Sequence, residues 1–326
     1  MPSRSQTIAI VTPFLADANN GNWRTAQRWQ AMLAPDFQAI VQPDWPAPGI
    51  DNAVAMIALH ARRSAPAARR FHAAHPERPL ILVMTGTDLY RDLASSEDAQ
   101  ETLRRATAVV VLQDDAVQYL PRETRRKTHV VYQSARALQP ANKPGGRVNV
   151  VVVGHLRPEK SPQTIFDLVG AMDDSLPIHV LQIGSGLDEK LAARAQVLSR
   201  DDPHYHWAGA LPHGLTRAAI KRAHLLIHPS IMEGGANVIV EAIQSGTPVL
   251  ASRMSGNLGM LGPDYPGYFP VGDHLALLAQ LRRCLDNANF LTRLNVACRA
   301  RSQHFSPEAE RNSLLKILST CLPDRD

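Results

Sequence analysis

Short apolar runs alternate along the whole chain with longer stretches in which apolar residues recur every three or four positions. The first pattern is that of a strand buried on both faces, and the second that of one face of a helix. In the first half the strand-like runs are TIAIVTP, QAIVQ, LILVMTG, AVVVL and THVVYQ, and the spacing predicts helices over 23–33, 52–73 and 97–106. The stretch SARALQPANKPGGRV has Pro140, Pro144, Gly145 and Gly146 but no apolar period, so residues 141–147 read as a linker. The pattern then restarts with the runs VNVVVVGHL, IHVLQIG, LLIHPS and PVLAS, helices over 161–172, 188–198, 214–223 and 237–245, and a short strand in WAGAL. A last helix is announced by Ser306 as cap, Pro307 at its first position, and Glu308 and Glu310 near its positive end. Strands that alternate with helices predict parallel sheets. The expected architecture is α/β: two doubly wound, Rossmann-like domains facing a cleft, over 1–140 and 148–305, with the helix 306–326 packing back on the first. In such sheets ligands bind beyond the carboxyl ends of the strands.

A chain of 326 residues suits two domains of this size. No uninterrupted apolar run approaches the roughly 18 residues of a membrane span. The start MPSRSQTIAIVTPF lacks the pattern of a secretory signal. A cytoplasmic location without stable membrane association is therefore expected. Cys284, Cys298 and Cys321 have no metal-ligand spacing and read as reduced, partly buried thiols. The 13 histidines are scattered, with HYH at 204–206 reading as a loop, so no metal site is expected.

The net charge of +5 is unevenly placed. Residues 1–147 hold 18 Lys and Arg against 13 Asp and Glu, and residues 148–326 hold 17 of each. Arginine outnumbers lysine 29 to 6, and its planar fork suits oxyanions. A solvated surface explains the excess equally well. No basic stripe interleaved with aromatic residues points to nucleic acid.

The most informative stretch is EGGANVIVEAIQSGTPVLAS, which follows the strand-like LLIHPS. Gly234 and Gly235 allow a close backbone approach, and a helix begins near Ala236 and Asn237. Its first amides make an anion site suited to a diphosphate. Glu233 precedes the helix and Glu241 lies within it, and a carboxylate accepts two hydroxyl hydrogen bonds from a sugar diol. In the first half, Gly21 and Asn22 open a helix that carries Arg24 and Arg28 four apart on one face. Two guanidinium groups there suggest a small oxyanion, and a solvated helix face is the alternative. Thr85, Thr87 and Asp88 follow the strand LILV and either bind acceptor oxygens or cap the next helix.

The two glutamates with seven residues between them, set in HPSIMEGGANVIVEAIQSGTPVLAS, resemble the retaining glycosyltransferases of family 4, which have the two-domain GT-B fold. The resemblance covers most of 148–305, including VVVGHLRPEK and LQIGSGLDEKL. It implies that Glu241 holds the nucleotide ribose, that Glu233 contacts the donor sugar, and that the backbone of Gly234, Gly235, Ala236 and Asn237 meets the diphosphate or sugar. Lys160 matches the lysine that the family places on the diphosphate. His155 stands where the family has an arginine, and Arg157 two residues on would point to the same side of a continued strand. Leaving-group charge is thus expected on Lys160 and Arg157.

The segments GNWRTAQRW, TGTDLYRDL, VVLQDDA, VVYQSA, GHLRPEKSP and SRMSGNLGMLG are similar to a narrower group within that family, the selenosugar synthases of selenoneine biosynthesis. That similarity implies a UDP-sugar donor, UDP-N-acetylglucosamine or UDP-glucose, and selenophosphate as acceptor, with no cofactor. UDP and, after loss of phosphate, a 1-seleno-sugar would be the products. Two other readings stay open: a family member with an alcohol, carbohydrate or lipid acceptor, and a non-catalytic nucleotide-sugar sensor. A lipid acceptor would favour a basic docking helix, for which 52–73 with Arg62, Arg63, Arg69 and Arg70 is the candidate.

Overall fold

The computed structural model describes residues 6–13, 21–143 and 145–322. Residues 1–5 and 14–20, Pro144, and residues 323–326 of the helix expected over 306–326 lie outside them. The chain divides into two compact units, Met1–Gln133 with Pro307–Asp326, and Ser134–Ser306.

The first unit is built on strands β1 (Thr7–Val11), β2 (Gln38–Gln42), β3 (Ala55–Leu59), β4 (Leu80–Val83), β5 (Ala108–Val111) and β6 (Thr128–Val130). They form one sheet in the order β2-β1-β3-β4-β5-β6, every neighbouring pair parallel. Successive side chains of a strand face opposite sides. Ile8 and Ile10 accordingly join one core with Trp29 and Leu33 of helix α1 (Gly21–Leu33). Ala9 and Val11 join the other, with Phe71 of α2 (Ala65–Ala74) and Leu103 of α3 (Glu97–Arg105). Helix α3 has complementary ends: Ser96 accepts from Ala99 N, Glu97 and Asp98 occupy the first turn, and Arg104 and Arg105 the last.

The predicted helix over 52–73 is replaced by β3, a loop and α2. Ala55–Leu59 is fully buried between β1 and β4, and a run buried on both faces has no alternation to distinguish it from a buried helix. The arginines of that segment are also bound within the unit. Arg62 pairs with Asp92, Arg69 with Asp98 and Glu101, and Arg70 with Asp44. Among the described residues no helix is long and apolar enough to cross a membrane.

The second unit contains β7 (Val148–Val153), α4 (Pro162–Gly170), β8 (Ile178–Ile183), α5 (Glu189–Asp201), β9 (Tyr205–Trp207), α6 (His213–Arg222), β10 (Leu225–His228), α7 (Asn237–Ile243), β11 (Val249–Ser252), α8 (Ser255–Leu261), β12 (Tyr268–Phe269), α9 (His274–Asp286) and α10 (Ala288–Arg301). Its sheet is also all parallel, in the order β12-β11-β10-β7-β8-β9. The short strand expected in WAGAL lies two residues earlier and takes up part of HYH, while His204 is buried with its Nδ1 against Ile178 O. Residues 141–147 fall inside this unit. The chain is already fixed there before them, as Leu138 N donates to Gln244 O at 2.7 Å.

The last helix, α11 (Pro307–Cys321), packs on α1 and gives Leu314, Ile317 and Leu318 to the first unit's core. Arg28 bears on the same junction. Its Nε and Nη2 grip both carboxylate oxygens of the buried Glu310, which also accepts from Trp29 Nε1 at 2.7 Å. The oxyanion that Arg28 meets is therefore the chain's own glutamate, which corrects the acceptor role expected of it. Removing one partner of a buried ion pair strands the other, at a cost of roughly 3–5 kcal/mol. Glu310→Ala is expected to lower the stability of the first unit by about that much in urea unfolding, and a loss under about 1 kcal/mol would show that the pair does not hold α11.

Candidate active site

In a doubly wound sheet the strand order reverses at one point, and the loops leaving the two strands there diverge to leave a crevice at their carboxyl ends. In the second unit the reversal lies between β7 and β10, paired through Val151 and Leu226. The structure has a recess at this point, lined by Val152, Val153, Gly154, His155, Lys160, Pro162, Gln182, His228, Pro229 and Ser230. The two loops are joined directly, since Ile231 N donates to Glu159 O at 3.0 Å.

That stitch sets Lys160 against Glu233. The lysine Nζ donates to Glu233 Oε1 in a short hydrogen bond, and both side chains are largely buried. Burial alone would raise the pKa of the Glu233 carboxyl. The Lys160 ammonium and its hydrogen bond, together with His228 and the Ser230 hydroxyl, outweigh it and hold the carboxyl below its usual 4.5. Close packing fixes both partners. A Cβ on Gly154 would lie 3.3 Å from the Lys160 side chain, and one on Gly256, at the start of α8, 2.3 Å from Glu233 O. Ser161, next to Lys160, is held in the left-handed region at φ 48°, and its hydroxyl lies 2.8 Å from that of Thr164. A non-glycine residue there costs on the order of 1–2 kcal/mol, which the surrounding turn must offset.

His155 lines the recess with its Nδ1 accepting from Ser185 N at 3.1 Å. Arg157 is not among the lining residues, and its buried Nε has no hydrogen-bond partner. Gly234 and Gly235 lie in the loop before α7, and Ala236 caps that helix without a side-chain hydrogen bond, with Asn237 as its first residue. Glu241 stands one turn into α7, its Oε1 2.7 Å from His213 Nε2, outside the recess lining. The structure thus gathers Gly154, His155, Lys160 and Glu233 and leaves Glu241 with His213.

Sequence reasoning missed His228. It is 1% exposed, at the end of β10, with its Nε2 3.6 Å from Glu233 Oε1 and no hydrogen-bond partner. Its signal was present in LLIHPS, where an imidazole ends an otherwise apolar strand at the edge where ligands bind.

In the first unit the reversal lies between β1 and β3, where His60 follows β3 at φ 76°. Its Nε2 is 3.3 Å from Thr87 Oγ1, and burial lowers its pKa to about 4. Asp88 corrects an expectation: it is fully buried and accepts from Ala61 N, Thr85 N, Thr85 Oγ1 and Leu89 N. Its oxygens tie the turn after β4 to the loop after β3, leaving none for an acceptor, and Thr85 is occupied with it. Gly21, Asn22 and Arg24 form the first turn of α1, where Thr25 Oγ1 donates to Gly21 O.

A sequence model of the family "Glycosyl transferases group 1" matches residues 133–301, just over half of the chain. The chain belongs to this family. The match takes in the whole recess, so Lys160, Glu233 and their neighbours lie in the part that the family model covers. The D-inositol 3-phosphate glycosyltransferase of Streptomyces griseus subsp. griseus is 27% identical over 59% of the chain and 46% of its own length. The phosphatidyl-myo-inositol mannosyltransferase of Mycobacterium leprae is 31% identical over 40% of the chain and 35% of its own length. The chain thus spans less than half the length of either curated relative. Among solved structures, sucrose-phosphate synthase of Thermosynechococcus elongatus aligns over 97% of the chain and 98% of its own length, with TM-score 0.78 and 17% identity. Anabaena HepE in complex with UDP-glucose aligns over 96% and 99%, with TM-score 0.73 and 16% identity. Both units therefore have the parallel-sheet architecture of GT-B glycosyltransferases.

The recess has a pH signature. Burial pushes the pKa of His228 from 6.5 to about 4, against the pull of Glu233 and with the push of Lys160. Between those values the unfolded chain binds more protons than the native one, so stability is full above pH 6.5 and falls as the pH drops toward 4. Glu233, also lowered, acts in the same direction at lower pH. From pH 7 to pH 5 the wild type is expected to lose about 2 kcal/mol more than His228→Leu in urea unfolding. Equal losses would mean that His228 titrates normally in the fold.

Proposed function

We propose that the protein is a retaining glycosyltransferase that takes a hexosyl group from a UDP-sugar, UDP-glucose or UDP-N-acetylglucosamine, and passes it to selenophosphate. The observation that carries the donor half is the Lys160–Glu233 pair at the strand reversal of the second unit, flanked by His155. As the sugar–diphosphate bond breaks, negative charge grows on the departing UDP. Lys160 and the amides at the start of α7 meet that charge, and Arg157, with its unpartnered Nε, is the second cation. Preorganised charge of this kind is commonly the largest single contribution to such a step. Glu233 receives the donor sugar's hydroxyls, and Glu241 the ribose in place of His213. The leaving phosphate serves as the local base, and the reading includes no metal.

The acceptor half rests on the similarity of GNWRTAQRW and TGTDLYRDL to selenosugar synthases, with Asn22, Arg24 and Thr87 as the residues that receive the acceptor. Its selenium forms the bond to C1 as the bond from C1 to the diphosphate breaks. Water then cleaves the phosphorus–selenium bond, leaving a 1-seleno-sugar and phosphate. A second reading, transfer to a phosphate-bearing alcohol, is favoured by the two curated relatives, whose names carry an inositol phosphate or phosphatidylinositol.

Incubation with each UDP-sugar and either selenophosphate or an inositol phosphate, followed by mass spectrometry, separates these readings. A seleno-sugar and UDP are expected from the first pair. A glycosylated inositol phosphate would replace the proposal with the second reading, and UDP binding without donor consumption would leave only a sensor. Lys160→Ala is expected to lower kcat by roughly 10²–10³-fold, the usual cost of one such donor. Glu241→Ala is expected to weaken UDP binding in calorimetry, and unchanged affinity would remove Glu241 from the ribose site.

A further inference from the structure

The Lys160–Glu233 pair poses a chemical problem that the proposed function, on which this inference rests, makes acute. A lysine that serves the departing diphosphate must leave its carboxylate, and that carboxylate is almost fully buried. A buried carboxylate that loses its partner destabilises the state in which it is stranded. In the state that matters for turnover the donor sugar's hydroxyls reach Glu233 from the ligand side, and a protein donor on Oε1 is what keeps the carboxylate directed at them.

Besides Ser230, whose hydroxyl helps to hold the Glu233 carboxyl low, one side chain is placed for this. His228 ends β10 five residues before Glu233, and its Nε2 stands 3.6 Å from the same Oε1 that Lys160 holds. The separation is only about 0.5 Å beyond hydrogen-bond reach. His228 Nε2 has no hydrogen-bond partner, although the residue is 1% exposed. A buried polar atom left unpaired in the resting arrangement is a standing cost, and such atoms are uncommon in folded proteins. The ring also borders the recess itself, on the side of Lys160 and Gly154.

We propose that His228 is a positioning residue that takes over the Glu233 carboxylate when Lys160 turns to the donor's diphosphate. With its proton on Nε2, the neutral imidazole donates to Glu233 Oε1 and keeps the carboxylate directed at the donor sugar. No proton changes hands: one hydrogen bond to Oε1 is exchanged for another. Glu233 then remains ionised and fixed in both states, and the ammonium is free to follow the charge that develops on UDP.

The test uses the full chain, with donor consumption followed as UDP release and UDP binding followed by calorimetry. The glutamine amide nitrogen comes close to the position of imidazole Nε2, whereas that of asparagine falls short, so the two polar replacements differ in reach and not in kind. His228→Leu and His228→Asn are expected to lower kcat roughly 10- to 100-fold, the scale of a misplaced reacting group, with UDP affinity held within about threefold. His228→Gln is expected to restore most of the loss. If leucine lowers the melting temperature sharply, the comparison of glutamine with asparagine carries the result alone. Wild-type turnover in His228→Leu, or equal losses in glutamine and asparagine, would overturn the proposal. Those outcomes differ from failure of the proposed function, in which the wild type itself consumes no UDP-sugar, and the role of His228 falls with it.

Discussion

The ion pair between Lys160 and Glu233 is the constraint around which the second unit is arranged. Buried ion pairs are poor devices for stability, because desolvating two charges offsets most of their attraction. Yet the structure secures this one from several directions. Parallel β7 and β10 bring the two loops side by side, the Ile231–Glu159 hydrogen bond locks them, and the glycines at 154 and 256 let side chain and backbone close in. A left-handed serine beside the lysine adds local strain. So much secondary support for a thermodynamically indifferent contact accords with the role proposed for the pair.

The first unit shows the opposite use of charge. Its excess of arginine is a property of the sequence, but the guanidinium groups of Arg28, Arg62, Arg69 and Arg70 are matched with carboxylates of the same unit. Arg28 is the most consequential, because its partner sits on α11 and is shared with the indole of Trp29. A charge that holds the chain's last helix to its first serves the fold and not a ligand. Any acceptor anion therefore meets a narrower set of groups than the net charge suggests.

How much of this was legible in the sequence follows from the range of the interactions. The alternation of strands and helices and the start of the last helix at Pro307 are local, and they came through. The grouping of His155, Lys160 and Glu233 was legible because they fall in two short loops, each after a strand. β3 was not, because Ala55–Leu59 is buried on both faces and is followed by arginines at helical spacing. Missing that strand hid the reversal point of the first sheet and with it His60. Arg28 and Arg24 share a helix face, but the carboxylate that claims Arg28 lies 282 residues away, and no local pattern announces it. Asp88 reads as either an acceptor ligand or a cap; its bonds to Thr85 and Leu89 are local, and only the fold brings Ala61 N to it.

A lysine already paired with a carboxylate also bears on selectivity. A ligand must draw Lys160 away from a single negative charge held at contact distance, with the local dielectric low on both sides of the exchange. A neutral sugar offers nothing in return. A single phosphate ester offers one to two charges, and a diphosphate offers more, spread over oxygens that α7 and a second cation can share. On the proposed function, the resting pair acts as a threshold that favours nucleoside diphosphate donors over weaker anions. On the same proposal, the residue that takes over Glu233 is a neutral imidazole and not another cation. A second positive charge there would hold the carboxylate in both states but would repel the ammonium, whereas an uncharged donor secures Glu233 and leaves Lys160 free to turn.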